Sequence, residues 1–316
     1  MTTTGSASAE YQAVTEACGL LDRSERGKLA LSGNGAKAFL QGQVSNDVEA
    51  LVPGSGCYAA FLTPKGKMLG DLRILDTGEE LLLDTERSAL QELFNMIRRF
   101  SVGYEMELHK RTLERGLISL IGPDATAIAG AELLAEEHSH ASATLAGVMA
   151  RAIRTDLGID LMCDAANTAA LATAAQERGA LPITETTAEC RRVETGRPRY
   201  GIDLDDTVIP QEAGLNARAV SFTKGCYVGQ ETVARLHYRG KPNRHLRGLK
   251  LDSPAGTGDE IALDGRIVGR VGSVADSPDL GHLALGLVRR EAPPGASVAV
   301  GAERIGAVVV ELPFAP

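Results

Sequence analysis

Through the first third of the chain, short apolar runs alternate with turn-forming residues, and each run has the length of a strand. Gly27–Ser32, Gly56–Leu62, Lys67–Asp76 and Glu80–Asp84 are such runs. Thr63-Pro64-Lys65-Gly66 and Thr77-Gly78 stand between them, with the proline and glycine that tight turns favour. Gly33-Asn34-Gly35 leads into a helix near Ala36–Gln41, and Glu10–Leu21 predicts a leading helix. The period then changes. Leu90, Leu93, Phe94 and Ile97 recur at i, i+3, i+4 and i+7, so they share one helix face. Glu86 falls in the first turn and Arg98-Arg99 in the last, both favoured by the helix dipole.

A second unit begins with a strand at Leu113–Ile121. A helix at about Asp124–Glu136, strands near Val148–Thr155 and Ile159–Cys163, and a helix over Asn167–Arg178 follow. This β-α-β-β-α order predicts an α+β subdomain packed on one sheet. Thr184–Gly196 returns to helix, and Gly201–Gln230 is rich in loops. After a linker at Arg239-Gly240-Lys241-Pro242-Asn243, short alternating strands from His245 onward predict a small β-barrel or sandwich.

A length of 316 residues implies two or three domains, and 44% hydrophobic with 23% charged residues is ordinary for a soluble globular protein. Tryptophan is absent and aromatic residues make up 4%, which argues against base stacking as a main binding mode. A formal charge of −8 disfavours nonspecific nucleic-acid binding but leaves room for a local basic patch. Cys18, Cys57, Cys163, Cys190 and Cys226 show no Cys-x-x-Cys spacing and fit free thiols in a reducing compartment. Met1–Ala9 is a polar, small-residue tail without an apolar core, and the first arginine is Arg23, unlike a signal or transit peptide. No run approaches the ~18 apolar residues of a membrane span. The expectation is a cytoplasmic protein without a membrane partner.

Most candidate motifs have a plainer reading. Gly33-Asn34-Gly35-Ala36-Lys37-Ala38 mimics a dinucleotide fingerprint, but Asp47 and Glu49 come too early for the acid such a site needs about 20 residues on. Gly66-Lys67 lacks the remainder of a P-loop. His109, His138, His140, His237, His245 and His282 show no metal spacing, so packing or surface roles are expected and no metal site. Asp203, Asp205 and Asp206 do not continue as a calcium loop and are expected to be solvated turn acids. Lys224-Gly-Cys-Tyr-Val-Gly-Gln-Glu231 differs from these. Gly225 and Gly229 bracket Cys226-Tyr227 and permit a close backbone approach, while Lys224 and Arg235 bring positive charge that favours a thiolate. A buried structural cysteine is the alternative. Arg235, Arg239, Lys241, Arg244 and Arg247 form a run without an intervening acid, fitting an anionic ligand tail, a nucleic-acid backbone or a solvated linker.

The octapeptide Lys224–Glu231 resembles the signature of the YgfZ family, folate-binding relatives of the glycine-cleavage T-protein (aminomethyltransferase). Three further segments resemble it in order: Phe39–Asp47, Thr63–Lys67 leading into Gly70-Asp71, and Arg192–Gly201 followed by Ile209–Ala213. The resemblance covers about Gly27 to Glu311. It implies an α+β fold, a T-protein-like cloverleaf of three domains around a folate hole with a C-terminal small β-barrel. Residues 1–110 with 184–240 would form the folate-binding domain, 111–183 the α+β domain and 241–316 the barrel. It also implies tetrahydrofolate as cofactor, Glu194 as the pterin acceptor, and Asp71, Tyr227, Gly229, Gln230 and Arg235 around the ligand. Cys226, with Lys224, would carry the chemistry. Gly70 stands where T-proteins have the first of two adjacent aspartates, and Gln230 where they place an arginine, so aminomethyl transfer is in doubt. The family is associated with iron–sulfur proteins and their assembly machinery, and with tRNA modification. The readings are therefore a folate-binding accessory protein for iron–sulfur clusters, a one-carbon transferase, or an RNA-interacting module.

Overall fold

The computed structural model describes residues 3–314, so Met1 and Thr2 of the N-terminal tail lie outside the described residues. Two compact units form. One takes Met1–Phe61, Gly70–Ala188 and Thr223–Val228; the other takes Leu62–Leu69, Glu189–Phe222 and Gly229–Pro316.

Two sheets stack face to face in the first unit. One has the strand order Gly56–Leu62, Met68–Asp76, Glu80–Thr85, Gly27–Ser32, Glu107–Lys110. The other runs Leu181–Pro182, Gly19–Asp22, Arg115–Ile121, Gly158–Asp164, Val148–Arg154, His140–Leu145. Alternation decides the faces. Leu117, Ile153 and Met162 of the second sheet meet Ala30, Leu75 and Leu82 of the first. Their neighbours Ile118, Ala152 and Leu161 point the other way, against Ile128 of the helix Ala125–Ala129 and Leu171 of the helix Thr168–Glu177. A polar layer also lies between the sheets. Arg73 donates to Asp84 at 2.6 Å and to Asp160 at 2.8 Å, Arg26 to Asp84 at 2.8 Å, and Ser119 to Asp160 at 2.6 Å. Arg73 and Asp84 are cross-strand partners in one sheet and Ser119 and Asp160 in the other, so the network fixes how the sheets face each other.

The second unit holds a closed antiparallel barrel in the order Arg244–Leu251, Gly281–Arg289, Arg266–Ser277, Glu260–Leu263, Ser297–Val300, Ile305–Val310. Leu249, Ile261, Val271, Val300 and Val309 fill it. Val193, on the helix Glu185–Glu194, packs with Leu246, Leu283 and Leu285.

Several expectations need correction. The leading helix is Thr3–Glu16, and Gly19–Asp22 is a strand because its backbone pairs with Ile118–Ile121. The helix placed over Asp124–Glu136 stops at Ala129, where Gly130 turns left-handed at φ 61°. His140–Leu145 is a strand. Glu86 precedes the helix Leu90–Phe100 and pairs with Arg26 instead of capping it. Gln230–Arg239 is a helix within what read as loop and basic run.

Candidate functional site

Phe39 and Leu40 are fully buried and anchor the helix Ala36–Gln43, so the residues after it begin from a fixed point. The Gln41 amide then ties the turn together, donating to Asp47 at 3.0 Å and accepting from the Val48 N–H at 2.7 Å. Ser45 and Ala60 exchange bonds, Ser45 N–H to the Ala60 carbonyl and Ala60 N–H to Ser45 Oγ, both at 2.9 Å. Asn46 donates to the Tyr58 carbonyl at 2.8 Å. The turn is thus fastened to the strand Gly56–Leu62.

Lys224 docks on that turn. Its buried ammonium donates to the carbonyls of Gln41 at 2.6 Å and of Val44 and Asn46 at 2.8 Å. The Val228 N–H donates to the Gly42 carbonyl at 3.2 Å. The loop is held at 224 and 228, Tyr227 is buried between them, and Cys226 stands exposed. The first and last of the resembling segments therefore meet. Burial pushes the Lys224 pKa down to about 8, opposed by Asp47, Cys57 and Glu49. Burial likewise pushes the Cys57 thiol up to about 12, opposed by Lys224, and Tyr227 up to about 12. The Lys224 charge thus acts on Cys57, which the sequence did not single out. Gly225 is exposed and meets no protein atom where a Cβ would be.

Asp71, also in the first unit, is buried and accepts from Tyr58 Oη at 2.6 Å, while Thr85 Oγ1 donates to its carbonyl at 2.5 Å. Gly70 beside it packs against Phe61 and Ala89.

The other candidates lie in the second unit. Glu194 ends its helix almost fully buried, at 1% exposure. One carboxylate oxygen accepts from Cys190 Sγ at 3.6 Å and the other from the Arg191 guanidinium, both donors one turn back. Burial, and then the Glu194 charge, push the Cys190 thiol up to about 12. Arg192 reaches Glu189, Asp203 at 3.0 Å and Ser273 at 2.5 Å. Asp203 is consequently a buried structural acid and not a solvated one, because Arg192 and the Ser273 N–H satisfy it. Gly229 sits at φ 86° at the start of the helix Gln230–Arg239, and a Cβ there would lie 2.7 Å from the Thr63 carbonyl oxygen, so its glycine is a packing requirement. Gln230 opens that helix and Arg235 is exposed on it. The basic run does not stay together as unopposed charge. Arg244 forks onto Glu212 at 3.1 and 2.9 Å and Arg247 pairs with Glu311 at 2.5 Å, whereas Arg235, Arg239 and Lys241 are exposed. Among the described residues, no cluster of three His, Cys, Asp or Glu could hold a metal ion, and no helix is long and apolar enough to cross a membrane.

Two stacked sheets followed by a closed six-stranded barrel define an α+β fold of the T-protein type. Residues 2–224 match the GCVT N-terminal domain and residues 244–315 the glycine-cleavage T-protein C-terminal barrel domain, so the chain belongs to the glycine-cleavage T-protein family. It is 31% identical over 326 residues to an aminomethyltransferase of Geobacillus kaustophilus, spanning 96% of this chain and 89% of that one. The chloroplastic protein At1g60990 of Arabidopsis thaliana, itself a transferase only by inference, is 28% identical over 307 residues, spanning 93% of this chain and 71% of that one. The aminomethyltransferase T of the Bartonella henselae glycine cleavage system has the same fold, with a TM-score of 0.85 at 22% identity over 98% of this chain and 89% of that one.

Proposed function

We propose that the chain is a tetrahydrofolate-binding protein of the YgfZ branch, acting in the cytoplasm through Cys226 to support iron–sulfur cluster assembly or repair. The observation that carries this reading is the setting of the thiol. Cys226 is the exposed crown of a loop held at both ends, whereas Cys18, Cys163 and Cys190 are buried. A structural cysteine gains nothing from such a position. In this reading residues 1–110 and 184–240 form the folate-binding domain, flanked by 111–183 and 241–316. The chemistry of Glu194 fits a pterin: it is a buried carboxylate, an acceptor of the kind that ring N–H donors require. Asp71, in the first unit, is an acceptor oriented by Tyr58. Tyr227, Gly229, Gln230 and Arg235 complete the proposed ligand set.

The relatives named aminomethyltransferase favour a second reading, one-carbon transfer to or from tetrahydrofolate. Against it, Gly70 carries no carboxylate and Gln230 no charge. Involvement in tRNA modification would rest on Arg235, Arg239 and Lys241, since Arg244 and Arg247 are spent on carboxylates. It requires RNA affinity that falls steeply with salt.

Complementation tests the leading reading. In a strain lacking the gene, the wild-type copy should restore iron–sulfur enzyme activity, and a Cys226→Ser copy with an unchanged melting temperature should not. Full rescue by the serine copy would show the thiol to be dispensable and would remove this reading.

A further inference from the structure

We infer that Lys224 is the positioning residue of the Cys226 loop, acting as a clamp on the Gln41–Asn46 turn and not as a cation that activates the exposed thiol. Three features carry this. An ammonium has three N–H donors, and all three are committed to carbonyls of a single turn, at 2.6, 2.8 and 2.8 Å. Those carbonyls point their negative ends at one place, an arrangement that is repulsive unless a compact cation sits among them. Lysine supplies a point charge with rotatable donors, and the planar fork of arginine does not. The surroundings also spend the charge internally. The charges of Asp47 and Glu49 favour the ammonium, Cys57 is the thiol that the charge acts on, and the Tyr227 ring lies 5.1 Å from Nζ. The second post, Val228 N–H to the Gly42 carbonyl, grips the same turn. Posts at 224 and 228 fix an arch whose crown is Cys226, so the clamp sets where the thiol stands.

The functional meaning of this clamp rests on the reading of Cys226 above, but its physical test does not. Amide exchange read by mass spectrometry on the full chain compares wild type with Lys224→Met and Lys224→Arg. In both variants, exchange should quicken together in residues 42–47 and 225–228, on the order of tenfold or more in the Met variant, with the barrel strands unchanged. The Val44, Ser45 and Val228 amides, each hydrogen-bonded, are the reporters. Iodoacetamide labelling of Cys226 against pH, located by peptide mapping, should keep the same midpoint in wild type and Lys224→Gln. Unchanged exchange in both segments, or loosening of one without the other, overturns the clamp. So does a midpoint moved to higher pH in Lys224→Gln, which would make the lysine an activating charge. Should the Met variant fail to fold, Lys224→Gln, which keeps two donors, reports the same exchange at smaller amplitude. If exchange quickens while a Cys226→Ser copy rescues fully, the clamp stands and the thiol reading falls.

Discussion

A Cβ placed on Gly70 would lie 2.5 Å from Cζ of Phe61 and 2.7 Å from the Cβ of Ala89. The missing carboxylate at this position is therefore locked in by packing. Phe61 and Ala89 are buried at 1% exposure each, so neither can swing into solvent to make room. Gly70→Asp should cost about 1–3 kcal/mol or more through overpacking and should not create aminomethyl transfer. Urea denaturation and a transfer assay with the aminomethyl-loaded carrier protein check both halves. A stable, active variant would mean that the pocket adapts and would promote the transferase reading.

Glu194→Gln keeps the shape of the side chain but removes the charge that Arg191 and Cys190 now serve. Tetrahydrofolate affinity measured by calorimetry should weaken by about 1.5–3 kcal/mol, the worth of a hydrogen bond to a charged acceptor. Equal affinities would remove Glu194 from the binding site.

Asp84 is a keystone of the polar layer between the sheets. Burial raises its pKa, but Arg26 and then Arg73 outweigh that, and the carboxyl ends below its ordinary value. A depressed carboxylate contributes stability above its unfolded pKa and loses it as pH falls through the folded value, so this contribution survives mild acid. Asp84→Asn leaves two guanidiniums facing an amide and should cost about 3–5 kcal/mol at neutral pH. A melting temperature within a degree or two of wild type would show the network to be dispensable.

His140 should govern the first acid-induced loss. Arg151 can only donate, at 2.9 Å, so Nδ1 accepts, and Nε2 carries the proton toward the Ser55 carbonyl at 3.2 Å. Burial and then the Arg151 charge push its pKa down to about 4. Between pH 6.5 and this value the unfolded chain binds a proton that the folded chain refuses, so stability falls as pH falls, by about 3 kcal/mol in all. His140→Gln should flatten the stability profile between pH 6.5 and 5, above the carboxylate range. An unchanged slope there would assign the loss to other groups.

Local pattern carried some elements and not others. Gly27–Ser32 and Gly56–Leu62 were legible because turn residues bound apolar runs of strand length, and Leu93 and Ile97 because a 3.6-residue period has no other explanation. The helix Gln230–Arg239 was not, since Val233 is its sole fully buried side chain and the remainder carries no apolar stripe. The helix expected over Asp124–Glu136 is cut short at Ala129, because Gly130 takes a left-handed conformation. At the site, Cys226 could be singled out because its neighbours have chemical character. What Lys224 does could not, because its partners are backbone carbonyls about 180 positions away and any residue has a carbonyl. Asp203 misled for a similar reason, as Ser273, which buries it, comes 70 residues later.

That separation between Lys224 and the Gln41–Asn46 turn has a consequence for biosynthesis. The first unit needs Thr223–Val228 to be complete, although most of it is made by Ala188. While a ribosome emits the intervening residues, three carbonyls wait for their ammonium, and Cys226 has not yet been made. Long-range closure of this kind slows folding and lengthens the time for which an unfinished chain is exposed. The Cys226 loop is thus among the last parts of that unit to find its place, and a nascent chain stalled before it would hold the strands of both sheets but not Cys226.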